Sequence, residues 1–267
     1  MDILAYCAGR LPVRFTVHTL AERPELARHD RRLHFNGAWP RFLEDTELNP
    51  LFDEVVRGPD FADFQLGLWD SRGRVVAVGD TVPFCWDGTA ADLPHRIADV
   101  VKRGIADRRR GRTPNAMSAL AAVVDPKLRG HGLSARVVRE MGRIAARHGF
   151  RALVAPVRPT LKGRYPLVPM EQYVRWRAPA GGPFDPWLRV HWRLGARVVR
   201  IARRAMVVEA TLAAWEEWTG LTFPESGRYV VPGAFNPVTI DRARRRGLYV
   251  EPNVWMRHPV RPRPGAR

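Results

Sequence analysis

One stretch of the sequence restricts the fold more than any other. Ala116–Val124 is almost wholly apolar, which predicts a strand buried on both faces. Over residues 133–148 the apolar positions recur every three or four residues and arginines occupy another side, as in an amphipathic helix. Gly149 predicts the end of this helix, and Ala152–Val157 predicts a second buried strand. The order strand, loop, helix, strand describes a βαβ unit.

Weaker patterns predict the remaining elements. The Asp70-Ser71-Arg72-Gly73 sequence supplies turn residues between two apolar runs, which predicts a hairpin. Asp185-Pro186 has the form of a helix start, an N-cap residue followed by proline at the first helical position. The other predicted elements are a first strand at 15–20, a helix at 96–110 and strands at 197–201 and 205–212.

These elements predict a mixed α/β (α+β) protein of 267 residues whose 45% hydrophobic content suffices for a real core. We divide it into a main domain at 1–212 with a long insert at 158–184, an extension at 213–258 and a basic tail at 259–267. The extension is rich in aromatic and turn residues, so we expect it to be ordered but irregular and to pack on the same domain.

The loop between the first buried strand and the helix is suited to binding an anion. Gly130 and Gly132 let the backbone turn its N–H groups toward the positive end of the helix, where a pyrophosphate would lie. A glycine-rich helix entry that binds nothing is the alternative. The loop also matches the dinucleotide pattern G-x-G-x-x-[GA]. However, five residues, 125–129, separate the strand from Gly130, and 150–157 offers no acid for a ribose hydroxyl, which argues against a dinucleotide fold.

Residues 123–134, Val-Val-Asp-Pro-Lys-Leu-Arg-Gly-His-Gly-Leu-Ser, resemble the pyrophosphate loop of the GNAT superfamily of acyl-CoA-dependent N-acyltransferases, [QR]-x-x-G-x-[GA]. Ser134 departs from the usual glycine or alanine. The resemblance implies a central, mostly antiparallel, twisted sheet flanked by helices, with the pantetheine arm of acetyl-CoA or another acyl-CoA in a slot between the two buried strands. It assigns that donor to the following residues: Val123, Val124, Arg129, Gly130, His131, Gly132, Leu133 and Ser134.

A second similarity lies in the predicted helix after Asp185. Where this family has a tyrosine that protonates the departing thiolate, in a Tyr-x-x-x-Gly-[FA] pattern, the chain has His191, followed by Gly195 and Ala196. An imidazolium can protonate a thiolate, and its pKa is closer to neutrality than that of a phenol. The alternative is a packed histidine, because Trp187, His191 and Leu194 share one helical face.

The insert at 158–184 is longer than the family's usual connection, and a long loop within a compact domain is typically functional or mobile. Its position beside the expected point of acyl transfer suggests an acceptor pocket or lid. Tyr165, Tyr173 and Trp176 are the candidate acceptor-binding side chains. Glu171 is the candidate general base; Asp185 is better explained as a helix cap.

Charge is distributed unevenly along the chain, whose net charge is +17. Residues 1–110 contain 16 basic and 17 acidic residues (−1), whereas residues 111–267 contain 28 and 10 (+18). This half favours a polyanionic partner, such as a cofactor phosphate, an acidic acyl carrier protein or nucleic acid. Because only three of the basic residues are lysines, arginines spread over solvated faces are the simpler alternative.

The resulting prediction is a cytoplasmic enzyme without a metal that moves an acyl group, acetyl by default, from acyl-CoA directly to the amine of a small molecule. Two cysteines form no disulfide framework or zinc site, and no apolar run approaches the length of a membrane span. Three alternatives stay open: the same fold with a carrier protein as donor or a tRNA bound, a homodimer, and a non-catalytic nucleic-acid-binding protein. The dispersed arginines argue against the last.

Overall fold

The computed structural model describes residues 15–34, 39–44 and 48–260. Its nine strands are β1 (Thr16–Thr19), β2 (Leu66–Trp69), β3 (Val75–Phe84), β4 (Ala116–Val124), β5 (Ala152–Val157), β6 (Arg197–Thr211), β7 (Gly227–Tyr229), β8 (Val238–Asp241) and β9 (Arg246–Pro259). Its seven α-helices are α1 (Leu26–His34), α2 (Leu48–Phe52), α3 (Ile97–Arg109), α4 (Leu133–Arg147), α5 (Met170–Tyr173), α6 (Pro186–Arg193) and α7 (Leu212–Thr219).

All nine strands belong to one sheet in the order β1-β2-β3-β4-β5-β9-β8-β7, with β6 on the other edge of β9. Every pairing is antiparallel except that of β4 with β5. The predicted mixed, mostly antiparallel sheet flanked by helices is therefore confirmed. The βαβ unit is also confirmed, because β4, α4 and β5 form where the apolar patterns predicted them.

The C-terminal part of the chain differs from its prediction. Residues 246–259 are not irregular: they form β9, which pairs with β5 through its C-terminal half, with β8 through its N-terminal half and with β6 on its other edge. The strands predicted at 197–201 and 205–212 are one long strand, β6, whose pairing with β9 shifts register between Ala202 and Met206. Residues 261–267 of the predicted basic tail lie outside the described residues.

The parallel pairing of β4 with β5 is short. It joins Ala116–Ser118 to Ala152–Val154 and continues no further, so the two strands separate toward their C-terminal ends. A bulge lies at the start of this separation, because Asp80 and Thr81 of β3 pair with Ala121 and Ala119 and leave Leu120 of β4 as the extra residue. A bulge bends and twists its strand. The gap between β4 and β5 is the slot that the resemblance implied.

The helices cover the two faces of the sheet. On the α4 face, α4 and α6 pack Leu133, Val137, Met141 and Leu188 against the sheet. On the α3 face, Ile97 and Val101 of α3 and Leu26 and Leu33 of α1 pack against the same strands. A third group of apolar side chains joins α7, β8 and the N-terminal half of β9 around Trp215 and Tyr249.

The insert at 158–184 folds largely upon itself around an aromatic group and contains two short helical turns, a 3-10 turn at Lys162–Arg164 and α5. The fully buried Lys162 fastens it to the C-terminal segment by donating to the carbonyl oxygens of Tyr165 (2.9 Å) and Phe235 (2.6 Å). Within 15–34, 39–44 and 48–260, no helix combines the length and the apolar character needed to cross a bilayer.

Candidate active site

A cavity of about 700 Å³ follows the gap between β4 and β5. Val124 on one wall belongs to the apolar group of the α4 face, and Val123 beside it belongs to that of the α3 face. The cavity therefore passes through the sheet and opens toward both faces. A volume of this size suits a cofactor-sized ligand.

At the α4 face the cavity reaches the predicted phosphate loop. Gly130 and Gly132 have φ of 84° and 75°, in the left-handed region, and a Cβ at either would meet nothing within 4 Å. These glycines are therefore required by backbone conformation rather than by space. Gly132 is the N-cap of α4 and no side chain caps the helix, so the N–H groups of its first turn have no intrahelical partner and point toward the loop.

Most of the residues predicted to bind the donor line this cavity: Val123, Val124, Arg129, Gly130, Gly132, Leu133 and Ser134. His131 does not line it, because its Nδ1 lies 3.0 Å from the carbonyl oxygen of Arg129 and 3.2 Å from that of Leu128. Its ring holds the loop, and the loop backbone faces the cavity.

No strand among the described residues pairs with the gap-facing edge of β4 from Ala119 to Val124. On its other edge, Val123 and Val124 pair with Val78 and Ala77 of β3. On the side of β5 the ladder has already ended at Ser118. Unpaired N–H and C=O groups on a strand edge can pair with the amides of an extended ligand.

His191 lines the cavity on the α4 face, and it is 2% exposed. Its Nδ1 lies 2.8 Å from Nε2 of His258 on β9, while its own Nε2 is buried and has no hydrogen-bond partner within the part of the chain that the structure describes. Burial, and beside it His258, hold the pKa of His191 well below its ordinary value, and burial lowers that of His258 to about 4. Both rings are therefore neutral at pH 7, which corrects the expected imidazolium.

The structure does not bring the predicted acceptor-binding aromatics to the cavity. Tyr165, Tyr173 and Trp176 pack with Phe184 in one aromatic group, with ring centroids 4.9–6.1 Å apart. The hydroxyl of Tyr173 donates to Asp185 at 2.8 Å, and Asp185 also caps α6 through the N–H groups of Trp187 and Leu188. These three side chains stabilise the insert, because their rings pack on one another and the hydroxyl of Tyr173 is bonded to the residue that caps α6.

Glu171 also lies away from the cavity. Its side chain is 42% exposed and accepts from Nε of Arg203 at 2.9 Å. This hydrogen bond, the largest cause, lowers the pKa of Glu171, which makes the carboxylate a weaker base.

At the α3 face the cavity meets a charged network that the sequence did not indicate. Nε2 of His34 lies 2.7 Å from Asp80 and 3.3 Å from Asp30, and Arg57 lies 3.3 Å from Asp30. Burial lowers the pKa of His34, but the two carboxylates outweigh it and raise the pKa to about 10. His34 is therefore an imidazolium at neutral pH. Of this network, His34 and Arg57 line the cavity.

Strand β9 brings two further polar side chains to the α3 face. The carboxylate of Glu251 is fully buried; it accepts two hydrogen bonds from Arg158, at 2.9 and 2.8 Å, and one from Tyr249 at 2.7 Å. Asn253 follows two residues later and also lines the cavity. Their sequence signal is two polar residues at alternate positions of an apolar run, which in a strand share a face.

The geometry agrees with comparisons to known proteins. The chain is 33% identical, over 94% of its length and 96% of the relative's, to the arginine N-acetyltransferase avaD of Aspergillus versicolor. Two solved structures share its fold: the loading GNATL domain of CurA from Lyngbya majuscula (TM-score 0.58, 14% identity, 92% of this chain and 98% of that one) and the GphF GNAT-like decarboxylase in complex with isobutyryl-CoA (0.55, 18%, 93% and 100%). No model of a protein family matches the sequence.

The identity to a curated N-acetyltransferase over nearly the whole chain confirms the resemblance found in the loop. The chain therefore belongs to the GNAT superfamily, and it is an enzyme that transfers an acyl group from acyl-CoA to the amine of a small molecule.

Proposed function

We propose that this enzyme acetylates a small amine that carries a second cationic group, and that arginine is its acceptor. The relative avaD is an arginine N-acetyltransferase. The observation that carries the proposal is the negative charge at the α3-face end of the cavity, which contrasts with the net charge of +17 of the whole chain.

We count this charge over the described residues at the α3-face end of the cavity, leaving out those of the phosphate loop. Five carboxylates are present: three line the cavity and two lie directly behind His34. Three cations oppose them, so the local charge is 3 − 5 = −2 when His34 is protonated. The carboxylates are those of Glu44, Asp53, Glu251, Asp30 and Asp80, and the cations are His34, Arg57 and Arg158. A negative cavity attracts a cationic acceptor.

The chemistry of the lining also suits a guanidinium group. Trp39 and Phe52 provide aromatic rings, and Glu44 and Asp53 provide carboxylates to the lining of the cavity. A guanidinium group is planar, stacks on aromatic faces and donates two parallel hydrogen bonds to a carboxylate. An ammonium or a guanidinium at the far end of the acceptor would bind here, and the amine to be acylated would lie toward the gap.

For the donor, we propose that the backbone N–H groups of 129–134 and the first turn of α4 hold the pyrophosphate of acetyl-CoA. The uncapped start of α4 and the two left-handed glycines fit this anion. The exposed Arg129 adds a positive charge, Ser134 a hydroxyl, and His131 holds the loop. The free edge of Val123 and Val124 pairs with the pantetheine amides. When bound, acetyl-CoA supplies a thioester carbonyl for direct attack by the amine.

We also propose that His191 acts at the sulfur as a neutral hydrogen-bond donor. Because both imidazoles of the pair are neutral, one nitrogen of the 2.8 Å contact carries the shared hydrogen. When His258 donates it, the hydrogen of His191 lies on Nε2, the atom without a partner. That N–H then stabilises negative charge on the leaving sulfur.

An acidic carrier protein as donor, a homodimer and nucleic-acid binding stay predictions. The exposed arginines Arg139, Arg143 and Arg147 of α4 are where an acidic partner would bind, on the same helix as the phosphate loop.

Arginine and citrulline test the acceptor directly, since citrulline has the same length and an uncharged ureido group. We expect kcat/KM for citrulline to be at least about 30-fold lower, because the carboxylates lose a charged partner. Asp53→Asn should lower kcat/KM for arginine about tenfold. Asp60→Asn is the matched control, because Asp60 is also exposed and paired with an arginine, Arg108, but does not line the cavity.

The measurement is release of free CoA thiol, with the acetylated product identified by mass spectrometry. Equal turnover of arginine and citrulline would refute charge recognition. Binding of CoA without acetylation of arginine would refute arginine as the acceptor and leave the donor site in place.

A further inference from the structure

Asn253 has an unusual environment for a buried amide. It lies on β9, is 1% exposed and lines the cavity on the α3 face. Its Nδ2 donates to the carbonyl oxygen of Pro156 on β5 at 3.2 Å. Its Oδ1 is buried and has no partner among the described residues.

The orientation of this amide follows from its neighbour. The carbonyl oxygen of Pro156 can only accept, so the nitrogen of Asn253 must face it and the oxygen must face away. A buried acceptor without a donor lowers stability, and native proteins contain few of them outside sites that perform a function. The lone pairs of Oδ1 are therefore available to a donor brought by a ligand.

The carboxylate of Glu251, also on β9, cannot accept a further hydrogen bond from a ligand in the same way. Glu251 accepts two hydrogen bonds from Arg158 and one from Tyr249, so its oxygens are already engaged. Asn253 lies two residues further along the same face and is nearer the gap. Its amide is bonded to Pro156 of β5, and Pro156 lies just beyond Val154, where the pairing of β5 with β4 ends. The acceptor amine must approach a thioester held along β4 at this point.

We propose that Oδ1 of Asn253 binds the amine of the acceptor and turns its lone pair toward the thioester carbon. The ligand class is a primary amine, which retains a hydrogen to donate to Oδ1 while its lone pair attacks. An amide oxygen suits this task because it accepts a hydrogen bond without the full negative charge that would favour the unreactive ammonium. Asn253 takes up no proton: as the C–N bond forms the C–S bond breaks, and the proton that the amine loses ends on the departing thiolate, which leaves as the CoA thiol. This inference rests on the function proposed above, since it needs an amine acceptor.

The test compares Asn253→Leu with Asn115→Leu. Leucine keeps the number and branching of the side-chain heavy atoms and removes the polar ones. Asn115 is a matched control because both ends of its amide are satisfied within the protein, by the N–H and the carbonyl oxygen of Trp86, and it does not line the cavity. Turnover of arginine, affinity for CoA and thermal stability are measured for all three proteins.

We expect Asn253→Leu to lower kcat/KM for the amine about 10- to 100-fold through loss of orientation, with CoA affinity within twofold of wild type. Asn115→Leu should lower thermal stability and keep the turnover of the folded protein. Amine turnover by Asn253→Leu within twofold of wild type would overturn the proposal. A parallel loss of CoA binding would also overturn it, because the effect would then lie in the donor site.

Failure of the proposed function gives a different result. If wild type acetylates another primary amine but not arginine, the choice of acceptor is wrong, and the same variants are compared with that amine. If wild type acetylates no primary amine, titration of arginine into the CoA-saturated proteins by calorimetry decides: equal binding to wild type and Asn253→Leu overturns the proposal, and weaker binding to the variant supports it.

Discussion

The His191–His258 pair makes the stability of this protein depend on pH in a way that can be calculated. Burial lowers the pKa of His258 to about 4, compared with 6.5 for a histidine in the unfolded chain. The unfolded state therefore binds a proton between these values that the folded state does not. This contribution to stability is fully present above pH 6.5 and is lost as the pH falls toward 4.

The magnitude follows from the two pKa values. Each pH unit between them costs the folded state about 1.4 kcal/mol, so lowering the pH from 7.5 to 5 removes about 2 kcal/mol through His258. For a chain of 267 residues this corresponds to roughly 4–8 °C in Tm. Burial raises the pKa of Asp80 to about 6, which has the opposite sign: its contribution grows as the pH falls below 6.

Because these effects overlap in wild type, the measurement is a difference between two proteins. His258→Gln removes the titrating ring and keeps an amide that can hydrogen-bond Nδ1 of His191. Urea unfolding of both proteins is followed by tryptophan fluorescence at pH 7.5 and 5. We expect wild type to lose about 2 kcal/mol more than the variant over this range. An equal loss of unfolding free energy in both proteins would refute the buried neutral pair. A smaller loss in wild type would mean that burial raises the pKa of His258 instead of lowering it.

Two further predictions concern the loop and the buried ion pair. Gly132→Ala places a side chain at a φ of 75°, which costs about 1–2 kcal/mol and should weaken CoA binding, measured by calorimetry, about 5- to 30-fold. The control is Gly142→Ala, in α4 with open space around its Cβ, which should leave CoA binding unchanged. Equal losses of CoA affinity in both variants would contradict the role of the loop. Glu251→Gln leaves Arg158 without its buried counter-charge, so it should lower the free energy of unfolding by about 3–5 kcal/mol in urea titrations, whereas a loss below about 1 kcal/mol would mean that the pair is solvated.

Local patterns were enough to predict the local structure of the loop that is proposed to bind the donor. Gly130 and Gly132 were recognised because a left-handed turn at a helix start depends on adjacent residues. The cap formed by Asp185 was recognised for the same reason. Strand β4 followed from its continuous apolar run and helix α4 from its apolar periodicity, because both patterns depend only on the order of neighbouring residues.

The residues around the proposed amine position could not be found in this way, because their partners are distant in sequence. His191 meets His258 across 67 residues, Arg158 meets Glu251 across 93, and Asn253 reaches Pro156 across 97. Each contact requires β9 to insert beside β5, a pairing that no local pattern specifies. Tertiary packing also placed Glu171 beside Arg203 and the aromatic residues of the insert against Phe184, instead of at the cavity.

The sequence by itself determined the family, the conformation of the proposed phosphate loop and the strands that form the slot, because these depend on the order of neighbouring residues. Only the tertiary structure decided the protonation of His191, the free Oδ1 of Asn253 and the acidic end of the cavity. The physical reason is that burial and the approach of remote charges set the pKa and the hydrogen-bonding capacity of a side chain, and both arise only when distant strands and helices pack together.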